Sequence, residues 1–304
     1  MARRKKGKPV HGWLIIDKPV GAGSTQMVSK ARWAFEAQKA GHAGTLDPLA
    51  SGVLAIAFGE ATKTVPYVMD GPKRYRFTVR WGEATATDDR EGEVIAQSDA
   101  RPDTAQIEQA LEPFRGDILQ VPPLFSAVKV DGQRAYLLAR AGEMPELAAR
   151  PLRVDRLELV DAPDADHAVF DMICGKGGYV RSIARDLGEA LGCHGHVSAL
   201  RRTATGPFSE EDAIDPVRLD AVRAGEDSVA LIPVAAALEA LPRVDVAEEG
   251  ALRIRHGNPA QVFCNLAYGN ECWAAFGEEP IAIGLFKAGY FHAKRVLLAT
   301  EPLD

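Results

Sequence analysis

The chain has 304 residues, 46% of them hydrophobic, with 36 Lys and Arg against 42 Asp and Glu for a formal net charge of −6. That length suggests two domains with real cores, and the acid excess does not advertise nucleic-acid binding. Phosphates, however, respond to local clusters within a Debye length of about 8 Å, so basic segments have to be found one by one.

Residues 2–8 are basic but lead into no apolar signal core, and residues 1–10 are expected to form a disordered arm, either touching phosphates or simply solvated. Trp13 to Ile16 reads as a buried strand, followed by a turn through Lys18 and Pro19 and a helix capped near Ser24 or Thr25 that runs to Gly41. From Gly41 to Gly52 the chain makes a constrained turn. Gly41, Gly44 and Gly52 open backbone conformations closed to other residues, and Pro48 pushes Asp47 out of the helical region. Asp47 is then either an aimed carboxylate or an Asx-turn residue before the apolar run Val53 to Phe58.

From Arg74 to Trp81, Tyr75, Phe77, Val79 and Trp81 alternate with Arg74, Arg76, Thr78 and Arg80, as in a half-buried strand. Asp103 and Gln106 form a capping box for a helix from Thr104 to Phe114. A strand from Val169 to Cys174 passes through a glycine-rich link into a helix marked by Ile183, Leu187 and Leu191. Pro233 and Pro242 bracket an alanine-rich helix at a junction. Beyond it, short strands are expected at Trp273 to Phe276, Ile281 to Phe286 and Tyr290 to Val296. Strands and helices without regular βαβ alternation favour an α+β fold.

Four cysteines, Cys174, Cys193, Cys264 and Cys272, are too scattered for a disulfide framework, and no apolar run reaches about 18 residues. A reducing cytoplasm is expected. Cys193, His194 and His196 are the one metal-like cluster, but they cannot complete a four-coordinate zinc site alone, and no metal is expected.

The stretch from Gly41 to Leu54 resembles G-H-x-G-T-L-D-P-x-A-x-G-x-L, the active-site signature of the TruB family of tRNA pseudouridine synthases, at every fixed position. Further blocks are similar to the same family. They are the K-R-Y motif at Lys73 to Tyr75, the P-P-x-[YF]-S-A-x-K-x-x-G-x-R-A-Y segment from Pro122 to Tyr136, the Y-[IV]-R-[ST] segment from Tyr179, and the L-R-R-T segment from Leu200 to Phe208. The resemblance covers about Gly12 to Phe208. Departures are Gly23 and Thr25, commonly Ser and Asn, and Ala86, commonly Asp, whereas Asp89 and Gly92 keep the rest of that stretch.

The resemblance implies a pseudouridine synthase catalytic domain over residues 11–240, with a mixed, mainly antiparallel sheet flanked by helices and an RNA-gripping insertion at about 122–153. It also implies a small β-rich, PUA-like RNA-binding domain over 241–304. The implied reaction is cofactor-free isomerisation of uridine 55 in the TΨC loop of tRNA, on a base flipped out of the stack. Asp47 would be catalytic, as a charge stabiliser, a nucleophile at C1′ or a base at C2′. Arg181 would hold it ionised through a bidentate contact. Tyr75, a core aromatic by its alternation alone, would stack on the uracil, with Tyr179 and Leu200 completing the pocket. His42 would fill the gap in the RNA. Candidates for RNA contact are Lys18, Lys63, Lys129, Arg134, Arg201 and Arg202, the last two being either phosphate-facing or structural, with Arg140, Arg150 and Arg153 adding charge to the insertion. The implied partner is the tRNA T-stem-loop, acted on by a monomer without an obligate protein partner or membrane. A tRNA-folding role could accompany catalysis. The alternatives are a non-catalytic binder of structured RNA and a carboxylate glycosidase, for which no second carboxylate is nominated.

Overall fold

The computed structural model describes residues 7–130 and 132–298. Residues 1–6 of the expected arm lie outside them. Lys8 to Val10, assigned to that arm, belong to the folded body: Lys8 pairs with Glu36 at 2.8 Å and Val10 is buried.

The chain opens with strand β1 (Gly12–Lys18), helix α1 (Ser24–Ala34), the short β2 (Ala40–His42) and β3 (Ala50–Phe58). Helix α1 stops at Ala34, well before Gly41, because Glu36 takes a left-handed φ of +49° and Gly41 joins β2 opposite Ala57. After α2 (Val65–Asp70) come β4 (Lys73–Trp81) and the hairpin of β5 (Glu83–Thr85) and β6 (Val94–Gln97). Helix α3 (Thr104–Ala110) carries the expected capping box on Asp103 and ends in a 3-10 turn through Phe114. Strand β7 (Gly116–Gln120) precedes the insertion, which holds the hairpin of β8 (Lys129–Val130) and β9 (Gln133–Arg134) and helix α4 (Ala135–Arg140).

Strand β10 (Arg150–Asp164) pairs with β7 from Arg150↔Gln120 onward, so the insertion closes sooner than expected, and Arg150 and Arg153 belong to the sheet. Arg153 is held there by Asp117 and Asp155. Then follow β11 (His167–Cys174), α5 (Val180–Ala190), β12 (Gly195–Thr205), β13 (Phe208–Ser209) and α6 (Arg218–Ala224). Among the described residues the main sheet runs β1-β3-β12-β4-β11-β10-β7, antiparallel throughout except for the parallel pair β3 and β12. Tyr75 and Phe77 of β4 face the core with Phe170, Leu157 and Met172, while Arg74, Arg76 and Arg80 point outward.

The alanine-rich segment forms a 3-10 turn (Val234–Leu238) rather than an α-helix. It leads to β14 (Arg243–Asp245), α7 (Glu248–Arg255), β15 (Ala260–Gln261), β16 (Glu271–Phe276), β17 (Glu279–Lys287) and β18 (Tyr290–Val296), a second sheet of order β14-β16-β17-β18-β15 with its own core around Ile254, Ile281 and Phe291. The chain then returns to the first domain, where Leu297 is buried in the cluster of Trp13, Val53 and Phe208. No helix among the described residues is long and apolar enough to cross a membrane.

Candidate active site

The parallel contact of β3 with β12 sets the site. It places Ala50 beside Leu200 and Gly52 beside Arg202, while β4 brings Phe77 opposite Leu200 and Tyr75 opposite Arg202. The turn before β3 therefore lies beside the stretches of β4 and β12 that carry Tyr75 and Leu200. Gly44 and Gly52 have φ of +105° and +99°, as the turn requires, whereas Gly41 is ordinary strand backbone.

Three side chains fasten this turn. Ser24, which opens α1, accepts from the Leu46 N–H at 2.8 Å and donates to its carbonyl at 2.9 Å. Lys18 donates to the carbonyls of Pro19, Ala22 and Pro48. Arg202 donates to those of Val53 at 2.8 Å, Gly44 at 3.2 Å and Thr45 at 3.4 Å. Lys18 and Arg202 are 0% and 2% exposed, so neither is the phosphate contact expected from its type. Their charges instead meet backbone oxygens of this turn and of the neighbouring Pro19–Ala22 turn, whose Gly21 N–H also donates to the Pro48 carbonyl at 2.7 Å. Burial pulls the Lys18 amine below its ordinary pKa, partly offset by nearby Asp47.

Asp47 projects from this turn into a cavity of about 620 Å³ lined by Tyr75, Tyr179, Leu200 and Arg181, within the range of small-ligand pockets. Nη2 of Arg181 lies 2.8 Å from Oδ2 of Asp47. The contact is not the expected bidentate one, because the guanidinium also donates to the carbonyls of Thr87 at 3.0 Å and Phe125 at 3.1 Å and lies 3.6 Å from Asp89. The side chain of Arg181 is 7% exposed and that of Asp47 is 40% exposed, so the cation is fixed and the carboxylate faces the cavity. Asp89 is itself held by the Thr87 hydroxyl and the Glu91 N–H. The sequence reading named Asp89 only as part of a retained stretch. Its bond from the N–H two residues on is an Asx turn, a local feature that the residue types alone permit but do not single out.

Burial raises the pKa of the Tyr75 phenol, against which the Arg202 guanidinium packs, and likewise raises that of Tyr179. Lys73, at the start of β4, also lines the cavity. The residue is 7% exposed, its ammonium donates to the carbonyls of Met69 and Gly71, and burial lowers its pKa to about 8. His42, on β2, lies outside the cavity lining, and its buried Nδ1 has no hydrogen-bond partner among the described residues. Burial, then the nearby Arg202, lowers its pKa.

The remaining basic candidates separate. Arg134 is exposed on the insertion and lines the cavity wall with Arg140, and Lys129 is exposed on the same hairpin. Arg201 is gripped by Asp17, at 2.9 Å through both nitrogens, and by Glu210. Lys63 is turned inward between Glu60 and the Val296 carbonyl, fastening the two sheets together. Asp186 pairs with Arg185, and His196 bonds to the Glu83 carbonyl through Nδ1.

The model for the TruB family pseudouridylate synthase N-terminal domain matches residues 32–180, and that for the tRNA pseudouridylate synthase B C-terminal domain matches 181–241. The chain belongs to the TruB family. It is therefore a pseudouridine synthase. Proteins named tRNA pseudouridine synthase B from Cereibacter sphaeroides and Ruegeria pomeroyi are each 58% identical to this TruB chain. Those alignments cover 97% and 99% of it and 99% and 100% of the respective relatives. Among solved structures, one of a Cbf5-Nop10-Gar1 complex is 26% identical with a TM-score of 0.75 over 95% of this chain and 85% of that one. One of an archaeal box H/ACA sRNP Nop10-Cbf5 complex shares the fold at 22% identity, with a TM-score of 0.72 over 98% and 93% of the two chains.

Proposed function

We propose that this TruB-family enzyme isomerises uridine 55 in the TΨC loop of tRNA to pseudouridine, with Asp47 as the reacting carboxylate. The observation that carries the reading is the 2.8 Å contact between Arg181 and Asp47 at a cavity walled by Tyr75, Tyr179 and Leu200. The names of the relatives from Cereibacter sphaeroides and Ruegeria pomeroyi support tRNA as the substrate.

The target base leaves the stacked loop for this cavity, at a cost of a few kcal/mol, and lies against Tyr75, with Leu200 and Tyr179 beside it. His42 occupies the space the base leaves in the RNA. Cleavage of C1′–N1 develops positive charge on the ribose, and the Asp47 carboxylate answers it, whether by electrostatic stabilisation, by bonding to C1′ or by taking the C2′ proton. The freed uracil turns within the closed pocket, C5 bonds to C1′, the C5 proton is lost and N1 is protonated, so the product is an isomer and no cofactor enters. Lys129, Arg134 and Arg140 of the insertion grip the stem phosphates, and residues 241–304 act as a PUA-like RNA-binding module. The enzyme works in the cytoplasm as a monomer without a guide or protein partner.

Purified protein incubated with unmodified tRNA transcript should give a carbodiimide-dependent primer-extension stop at position 55, absent with Asp47→Asn. A stop that persists in the variant overturns the role of Asp47. A wild-type protein that binds the transcript but leaves no stop would be a binding protein instead.

A further inference from the structure

Gln120, the last residue of β7, is 3% exposed and does not line the cavity, yet its amide is matched twice to the backbone of a residue that does. Its Oε1 accepts from the Tyr179 N–H at 2.9 Å, and its Nε2 donates to the Tyr179 carbonyl at 3.0 Å. The side chain thus does for Tyr179 what a neighbouring strand does in a ladder.

Besides the bond from Gln120, the Tyr179 carbonyl accepts from the Ile183 N–H at 3.2 Å, the first bond of α5. Tyr179 is preceded by Gly175-Lys176-Gly177-Gly178, with Gly177 at φ +87°, and it caps α5 without a side-chain bond. The next residues tighten the same joint. The Val121 carbonyl accepts from the Ser182 hydroxyl at 2.7 Å and from Arg185 at 3.0 Å, and Arg181 reaches the Phe125 carbonyl while holding Asp47. The root of the insertion and the first turn of α5 form one unit.

We propose that Gln120 is a positioning residue for the reaction: it fixes the Tyr179 ring against the target base, and through the first turn of α5 it seats Arg181 on Asp47. This rests on the base pocket proposed above. Misplacement of a positioned group by about 1 Å is worth up to roughly 100-fold in rate, and partial loosening less.

The test is single-turnover pseudouridylation of a tRNA transcript, with RNA affinity and amide hydrogen exchange measured on the same full-length proteins. Gln120→Ala should slow the chemical step about 10-fold while tRNA affinity moves less than about twofold, and the Tyr179 amide should lose protection. Gln120→Glu, which keeps the acceptor but sets an oxygen against the Tyr179 carbonyl, should do the same in a side chain of equal size. In a Tyr179→Ala background the Gln120→Ala loss should shrink to the part carried by Arg181. Wild-type rates in both Gln120 variants, or losses fully additive with Tyr179→Ala, overturn the proposal while leaving the pocket reading intact. A Tyr179→Ala enzyme with the wild-type rate overturns the pocket role of Tyr179 and this proposal together.

Discussion

The carbonyl of Arg202 occupies the space where Gly52 would carry a side chain: a Cβ there would lie 2.2 Å from that oxygen, on a backbone with φ of +99°. Both obstacles are backbone, so no rotamer change relieves them. Gly52→Ala is expected to lower unfolding free energy by about 3 kcal/mol, the sum of a left-handed backbone penalty and a forced strand shift. Urea titration checks the stability, and single-turnover assays should show a larger fractional loss of rate than of RNA affinity, since the displaced strand continues directly from the turn that carries Asp47.

Removing the Arg202 side chain should separate turn geometry from surface charge. Arg202→Met keeps the bulk but leaves the carbonyls of Gly44, Thr45 and Val53 unpartnered, at an expected cost of about 3 kcal/mol. Because the group is buried, tRNA affinity should keep its dependence on salt. A phosphate-contacting arginine would instead lower the slope of log affinity against log salt by about one.

The pH dependence of stability should carry the mark of Lys73. Its amine titrates near 8 in the folded protein and near 10.5 in the unfolded chain. Between those values the unfolded state holds the extra proton, so this group makes stability rise with pH from about 8 to 10.5 and adds no slope outside that window. Lys73→Met should remove that rise. Urea unfolding at pH 7, 8, 9 and 10 compares the two slopes.

Leu297 tests how the C-terminal sheet is tied to the body. It is 1% exposed among Trp13, Val53 and Phe208, and next to it Glu60 accepts from the Leu298 N–H at 2.8 Å. Leu297→Ala should cost about 2–4 kcal/mol for the buried atoms and the cavity left behind. Limited proteolysis should then cut near the junction faster than in wild type.

The sequence made some of this legible and hid the rest for physical reasons. The alternation of Tyr75, Phe77, Val79 and Trp81 announced β4 because one face is core and the other solvent. The central β12 stayed hidden because two bulges break its period and a fully buried arginine interrupts its apolar pattern. Strand β10 was masked by charged residues on an exposed face and by its own register shifts. The glycines and proline placed Asp47 in a constrained turn, and only the resemblance of the whole segment chose between an aimed carboxylate and an Asx-turn residue. The buried placement of Lys18 and Arg202 could not be found, since lysine and arginine are so seldom inside that their type argues for the surface. Gln120 carried no signal at all, because its partners are backbone atoms distant in sequence.

The register pair Gln120↔Arg150 gives the insertion a doorway. Everything between those residues leaves and re-enters the body through two adjacent strands, so beyond the root at Val121 and Phe125, whose carbonyls bond α5, the sheet is indifferent to what hangs from it. Closure entropy grows only slowly with loop length, about 0.6 kcal/mol per doubling. The segment can therefore lengthen, shrink or be exchanged for another grip without the catalytic turn being rebuilt, and a change of RNA preference can be introduced there one loop at a time.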